Sequence, residues 1–435
     1  MTAVRRKPPR RGPALRLPFA AHIALWLVLG VAVAALTAWV LWLLLGQPTL
    51  RPANSGPATS QEKFDGLKIA LTVVGGIGGV IALTVAYRKQ RLGEAAERRE
   101  DTKAHTDRFC KASELIGSSQ AAVRLAGIYA MAALADDWDD HRQMCVDVLC
   151  AYLRMPCDPP ASAAPTPGNR GLGLRKPRPV TRVPAPSAAA AEDPREEQQV
   201  RHTVIRVIAA HLRPDAQVPW HGRTFDFTGA TFDGGDLSGI RVGPDTRLIF
   251  DGATFAGGYV GFTDVTVAGG EIDFKGAAVS AGHLDFGGSS VSAGEVDFDG
   301  ATISGGEVDF GHVAVSGGRC YFGDVTVSGG QVHFAGGLIS GGGIDFGGAV
   351  ISGGDLHFAT ATISGGHVDF GGAVISGGEV DFRDVTFSGG TVDFADATVA
   401  GGQVLFDGAT FSGGTVNVPA GVRLPSPPGS GAPGH

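Results

Sequence analysis

Phenylalanine stands at positions 250, 262, 274, 286, 298, 310, 322, 334, 346, 358, 370, 382, 394 and 406, fourteen sites at a constant interval of twelve. A Gly-Gly or Ala-Gly pair closes each unit, from Gly257-Gly258 to Gly413-Gly414. A period held this strictly means one small structural unit stacked on copies of itself, each burying the apolar face that its neighbour cannot bury alone. Glycine reaches 67 residues of 435. Without a G-x-y period, that excess is no collagen signature and points to a repeat with many tight corners.

A representative unit runs from Glu295 to Gly306. It divides into Val296-Asp297-Phe298-Asp299-Gly300 and Ala301-Thr302-Ile303-Ser304-Gly305, plus two further residues. In both blocks positions one and three are apolar and position two is polar or small, the alternation of a strand with one buried face. Val and Phe point inward, Asp points outward, and the glycines mark corners, where the chain turns at least steric cost.

These blocks resemble the pentapeptide-repeat family, whose unit is roughly A-[DN]-[LF]-x-x. Ala253-Thr254-Phe255-Ala256-Gly257 and Ala409-Thr410-Phe411-Ser412-Gly413 are close to it. The resemblance covers about 220–418 and implies a right-handed, four-sided β-solenoid with four blocks per coil. The sequence departs from the family pattern in that Val often replaces the small first residue and two residues follow every second block. Two coil periods therefore stay open. Two units give a 24-residue coil with a four-sided interior; one unit gives a thin, two-sheeted 12-residue coil.

The N-terminal half reads differently. Residues 1–249 hold 32 Lys plus Arg against 23 Asp plus Glu, while 250–418 hold 3 against 20, a net of −17. Phe19–Leu45 is apolar apart from His22, and Leu67–Tyr87 carries only Lys68. Runs of this length predict two transmembrane helices, 18–46 and 67–87. Basic residues flank both, in the N-terminus 1–17 and at Arg88, Lys89 and Arg91, with a sparsely charged loop 47–66 between. The charge bias predicts a multi-pass protein of the cell (inner) membrane, both termini cytoplasmic, with the lipid bilayer as a partner. Gly75 and Gly79 form a small-xxx-small pair that suits either a homodimer contact or packing between the two spans.

A small α-helical region is expected at 88–155, with Val123, Ile128, Met131 and Leu134 sharing one stripe and Met144, Val148, Leu149 and Tyr152 another. Asp140 is the expected N-cap of the second of these helices. Ten prolines between Pro156 and Pro194 predict a linker, 156–194. A further helix at 195–213 is placed to pack on the earlier ones or to cover the solenoid's first coil, and 419–435 reads as a disordered tail. The whole layout resembles actinobacterial membrane-anchored pentapeptide-repeat proteins, a group without an established biochemical role.

Cys110, Cys145, Cys150, Cys157 and Cys320 are odd in number and form no C-x-x-C pair, so free thiols are expected and no metal site is assigned. His283, His312, His333, His357 and His367 fall in variable, mostly outward slots. No nucleophile, base and acid recur together and no glycine pair precedes a helix with Lys-Ser/Thr, so neither a catalytic set nor a cofactor is expected. The outward residue before each Phe is Asp273, Asp285, Asp297, Asp309, Asp345, Asp369, Asp381 or Asp393 at eight sites. These form the expected interaction face. The expectation is a non-catalytic, membrane-tethered scaffold presenting its acidic solenoid to a protein partner in the cytoplasm, with direct nucleic-acid binding excluded by charge. The alternative, implied by the resemblance, is DNA mimicry directed at a DNA-binding enzyme such as a type II topoisomerase.

Overall fold

The computed structural model describes residues 28, 30, 32, 35, 36, 39, 43, 60–156, 194–419, 421, 422 and 424. The expected N-terminal segment 1–17, most of the first span 18–46, most of the loop 47–66, nearly all of the linker 156–194 and most of the tail 419–435 lie outside them. The chain forms two compact units, Met1–Lys103 and Ala104–His435.

The two-span reading is corrected here. Among the described residues no helix is long and apolar enough to cross a membrane. Residues 67–87 are not a bounded apolar segment. They belong to α1 (Ser60–Ile116), a 57-residue helix that continues without a break through Arg88, Lys89, Arg91 and the charged stretch beyond. With the spans go the multi-pass inner-membrane location, its orientation and the bilayer as an assigned partner.

Three shorter helices follow, α2 (Ala121–Asp137), α3 (Arg142–Arg154) and α4 (Pro194–Leu212). Ile128, Met131, Leu134, Cys145, Val146, Leu149, Val204 and Ile208 are all inaccessible and make their common core. Gly127 permits the close crossing of α1 and α2, since a Cβ there would lie 2.6 Å from the Ile116 backbone nitrogen. Asp140 caps nothing. It sits in a short 3-10 turn, Asp139–His141, and His141 occupies the N-cap position of α3 without a side-chain bond.

The strands run parallel, and from Leu248 onward residues pair with those 24 positions later, apart from one-residue register shifts at two corners (Ala268 with Ala293, Ser388 with Gly413): Leu248 with Ile272, Val296 with Cys320, Val308 with Val332, Val368 with Val392. The coil period is therefore 24, two sequence units per turn, and about eight coils stack. Two faces are eight-stranded sheets. The other two merge into one thirteen-stranded sheet, because four long strands such as Ser290–Asp297 run across a corner.

Eight side chains fill each coil. In one turn these are Val308, Phe310, Val313, Val315, Cys320, Phe322, Val325 and Val327, all inaccessible. The fourteen phenylalanines form two columns on opposite faces. Within a column, rings 24 residues apart stack nearly parallel; Phe298 and Phe322 are 5.0 Å apart at 1°, Phe346 and Phe370 5.0 Å apart at 4°. Across the core, rings 12 residues apart meet edge to face, as Phe334 and Phe346 do at 6.1 Å and 87°. Offset stacks and T-shaped pairs are the two favoured aromatic geometries, and this core uses both at every level.

The corner after each Phe is a β-turn. The Ala301 N–H donates to the Phe298 carbonyl at 3.0 Å, and the intervening Gly300 has φ +65°. The residue two after Phe is left-handed at all fourteen corners, and Asp, His or Thr occupies six of them, including Thr360 at φ +61°. Only the third turn residue needs positive φ, which defines a type II turn. The second glycine pair has another cause: close approach of stacked backbones. A Cβ on Gly306 would lie 2.5 Å from the Gly282 carbonyl oxygen of the coil below. The two residues added to each pair of blocks thus carry the chain past its lower neighbour.

Two substitutions test this account. Phe346→Ala removes a ring from both contact types and should cost about 3–5 kcal/mol in denaturant unfolding. Gly372 has φ +69° and nothing within 4 Å of its Cβ position. Gly372→Asn should therefore be nearly neutral and Gly372→Val should cost about 1–3 kcal/mol, the whole difference being backbone strain.

Candidate interaction faces of the solenoid

The helices position the faces by sealing the first coil. The Gln143 amide binds the unpaired edge as a strand would, its Nε2 donating to the Thr224 carbonyl at 2.7 Å and its Oε1 accepting from the Thr224 N–H at 3.1 Å. Arg201, almost wholly buried, donates to the carbonyls of Leu153 and Thr231. Trp220 stacks on His211 at 3.9 Å and donates from Nε1 to Asp136. Backbone groups that would otherwise be orphaned at the edge thus have partners, the condition for burying a sheet end.

The eight aspartates do not make one ladder. Asp273, Asp297, Asp345, Asp369 and Asp393 lie on one Phe-bearing face; Asp285, Asp309 and Asp381 lie on the opposite one. Each is tied to its own corner. The N–H of the residue two positions on donates to the Asp Oδ1: Gly287 to Asp285 at 2.8 Å, Gly347 to Asp345 at 2.7 Å, Gly371 to Asp369 at 2.8 Å and Ala395 to Asp393 at 2.9 Å, with the same bond at the other four. These are Asx turns, which explain the recurrence of Asp before Phe through local structure. Alternation alone identified the outward slot and missed this bond. The signal was the fixed Asp-Phe-x order ahead of a turn.

The carboxylates then divide by environment. Asp273, Asp297 and Asp381 are buried, and each has a cation. Lys275 bridges Asp273 and Asp297, and Arg383 binds Asp381 and Glu379. Burial, only partly offset by Lys275, raises the Asp273 carboxyl above its usual range. Burial acts the same way on Asp381, but the hydrogen bonds and charge of Arg383 outweigh it and hold that group below the usual range. Asp345, Asp369 and Asp393 are half-buried and in register on successive coils, with no Lys or Arg bound to them among the described residues. Their neighbours are His367, 3.5 Å from Asp369, and Asn417, which donates to Asp393 at 2.8 Å.

The opposite face is mixed. Tyr259 donates to Asp285 at 2.6 Å, and that bond pushes the phenol up to about 12. His283 Nδ1 lies 3.1 Å from Glu307 Oε2, and His333 Nε2 lies 3.3 Å from Glu307 Oε1. His333 stacks on His357 at 4.7 Å, and burial together with the His357 charge holds His333 below the usual imidazole range. Gly75 and Gly79 are exposed on α1, with nothing within 4 Å of their Cβ positions.

Because the folded pKa of Asp381 is depressed, its ionised form contributes stability above the unfolded value, near 4, and that contribution is lost as pH falls through the folded value. The stability gap between wild type and Asp381→Asn should therefore be present at pH 5 and shrink towards pH 2, as read by urea titration at each pH.

No family model matches the chain, and no curated protein gives a significant match. Among solved structures, the chain is similar to a trypsin-treated form of QnrB1, a plasmid-mediated fluoroquinolone resistance protein, at 15% identity over 44% of this chain and 85% of that one, with a TM-score of 0.14. The fold assignment stands on the coil itself. Four short faces per 24-residue turn, a Phe at every twelfth position and parallel register make this a four-sided parallel β-solenoid.

Proposed function

We propose that the solenoid is a non-catalytic interaction scaffold whose acidic face, centred on Asp345, Asp369 and Asp393, receives a basic protein surface. One observation carries this reading: three carboxylates stand in register on consecutive coils without a bound Lys or Arg, whereas the buried aspartates each have one. Strands lie about 4.8 Å apart, so the three charges repel one another, and a partner's cations would relieve that repulsion. The first of the three, Asp345, lies five coils along from the helical cap.

Charge density supports a second reading, mimicry of DNA towards a DNA-binding enzyme. Eight coils give a rod of roughly 40 Å. Residues 250–418 make about seven of those coils, roughly 34 Å, so their net of −17 is one charge per about 2 Å, near the one per about 1.7 Å of duplex DNA.

The triple variant Asp345→Asn, Asp369→Asn, Asp393→Asn separates charge from structure, because an Asn Oδ1 still accepts the Asx-turn bond. Melting should stay within a few degrees of wild type. Proteins retained by the immobilised full chain at 0.1 M salt and released by 0.5 M should be lost from the variant, since exposed charge pairs are screened over that range. Equal retention by the variant would remove this face from the proposal. Competition by duplex DNA for the retained protein would select the mimicry reading over the general scaffold.

A further inference from the structure

We propose that His283, Glu307 and Asp309, with His333 beside them, form a binding site for a divalent metal ion of the zinc class. The site is separate from the acidic face above, on the opposite side of the solenoid, and does not depend on it.

The four residues come from three consecutive coils. His283 pairs in register with Glu307, and Asp309 with His333. One ligand atom from each of His283, Glu307 and Asp309 lies within 4.8 Å of the others. Imidazole nitrogen with carboxylate oxygen is the donor set that zinc and its neighbours take, usually from three or four protein ligands.

The hydrogen bonding around His283 is incomplete in either tautomer. Its Nδ1 faces Glu307 Oε2 at 3.1 Å, and its Nε2 is buried without a hydrogen-bond partner among the described residues. With the proton on Nδ1, the Nε2 lone pair is orphaned. With the proton on Nε2, that N–H lacks an acceptor and the Nδ1 lone pair points at a carboxylate oxygen, which is repulsive. A cation shared by Nδ1 and the Glu307 carboxylate turns that repulsion into ligation. The rest of the set is oriented for the same task. Asp309 Oδ1 is engaged by the Gly311 N–H, leaving Oδ2 free. Glu307 Oε1 reaches His333 Nε2, which also lies 3.2 Å from Gln331 Oε1. The four side chains are only partly buried, so an ion has a direct path from solvent and water can complete its coordination. Both Asp285 and Asp381 are excluded, the first by Tyr259 and the second by Arg383.

The spacing of 24, 2 and 24 residues shows why no short sequence motif marks the site. Metal ligands are sought close together in sequence, whereas a solenoid brings them together one coil apart.

The test titrates the metal-free full chain with zinc chloride and, separately, cobalt chloride. We expect one zinc ion per chain on this face and a cobalt absorption spectrum of nitrogen and oxygen ligation. His283→Gln, Glu307→Gln and His333→Gln should each weaken uptake at least tenfold, while Asp407→Asn, at an exposed carboxylate far along the rod, leaves it unchanged. A second measurement needs no variant. Zinc should shield His283 and His333 of the wild-type chain from diethyl pyrocarbonate, mapped by mass spectrometry, while the exposed His312 and His367 stay reactive. Absence of uptake at 100 µM metal, or equal modification of all four histidines with and without zinc, would overturn the proposal.

Discussion

The parallel ladder with a 24-residue step governs everything else in the solenoid. Backbone hydrogen bonding sets a rise of about 4.8 Å per coil. The phenylalanine rings must stack at that rise, and their centroids, 4.4 Å apart for Phe274 and Phe298 and 5.1 Å for Phe310 and Phe334, follow it closely. Aromatic rings prefer such separations, so the demands of backbone and core coincide. Smaller aliphatic residues fill the alternate faces, and the rings of opposite columns interlock between them. The result is a core whose stability is additive along the axis, each coil contributing its own burial and its contact with the next.

The same residues that look like a surface decoration hold this ladder in shape. Each Asp before a Phe spends one oxygen on the corner N–H, and the left-handed residue beyond completes the turn. The remaining acceptor capacity, on Oδ2 and at Asp381 and Asp393 on Oδ1 as well, is left for the surroundings. Its fate depends on chance neighbours along the column: a lysine at 275, an arginine at 383, a tyrosine at 259, a histidine at 367, or no bound side chain at 345. One structural element has therefore produced both buried ion pairs and a bare acidic run. Function, on this reading, lies in the exceptions to the repeat.

Much of this was legible in advance. The period, the inward Phe and the strand alternation follow directly from spacing, because a two-residue pleat leaves no freedom in which side chain is buried. The coil length did not follow, since a 12-residue unit is compatible with either one or two units per turn; only the pairing of Val308 with Val332 decides it. The helical buried stripe was partly misread. Cys145, Val146 and Leu153 are inaccessible where Met144 and Val148 were expected, because α3 packs on α2, on α4 and on the solenoid's first strand and buries a wider face than one stripe. The two spans failed for a different reason. Local hydropathy over 67–87 says nothing of where the helix ends, and α1 runs far past it. The ligand set at 283, 307, 309 and 333 was hidden because its proximity exists only once the coil period is known.

The core repeats every twelve residues, but the surface repeats only every twenty-four. A gain or loss of a single 12-residue unit would leave the interior intact, with Phe again above Phe. Every side chain beyond the event would nonetheless turn half a revolution about the axis and appear on the opposite face. Asp345, Asp369 and Asp393 would then continue the column that holds Asp309 and His333. A lineage of such chains can thus redraw its entire exterior in one genetic step that the hydrophobic interior does not register, while changes of two units merely lengthen the rod.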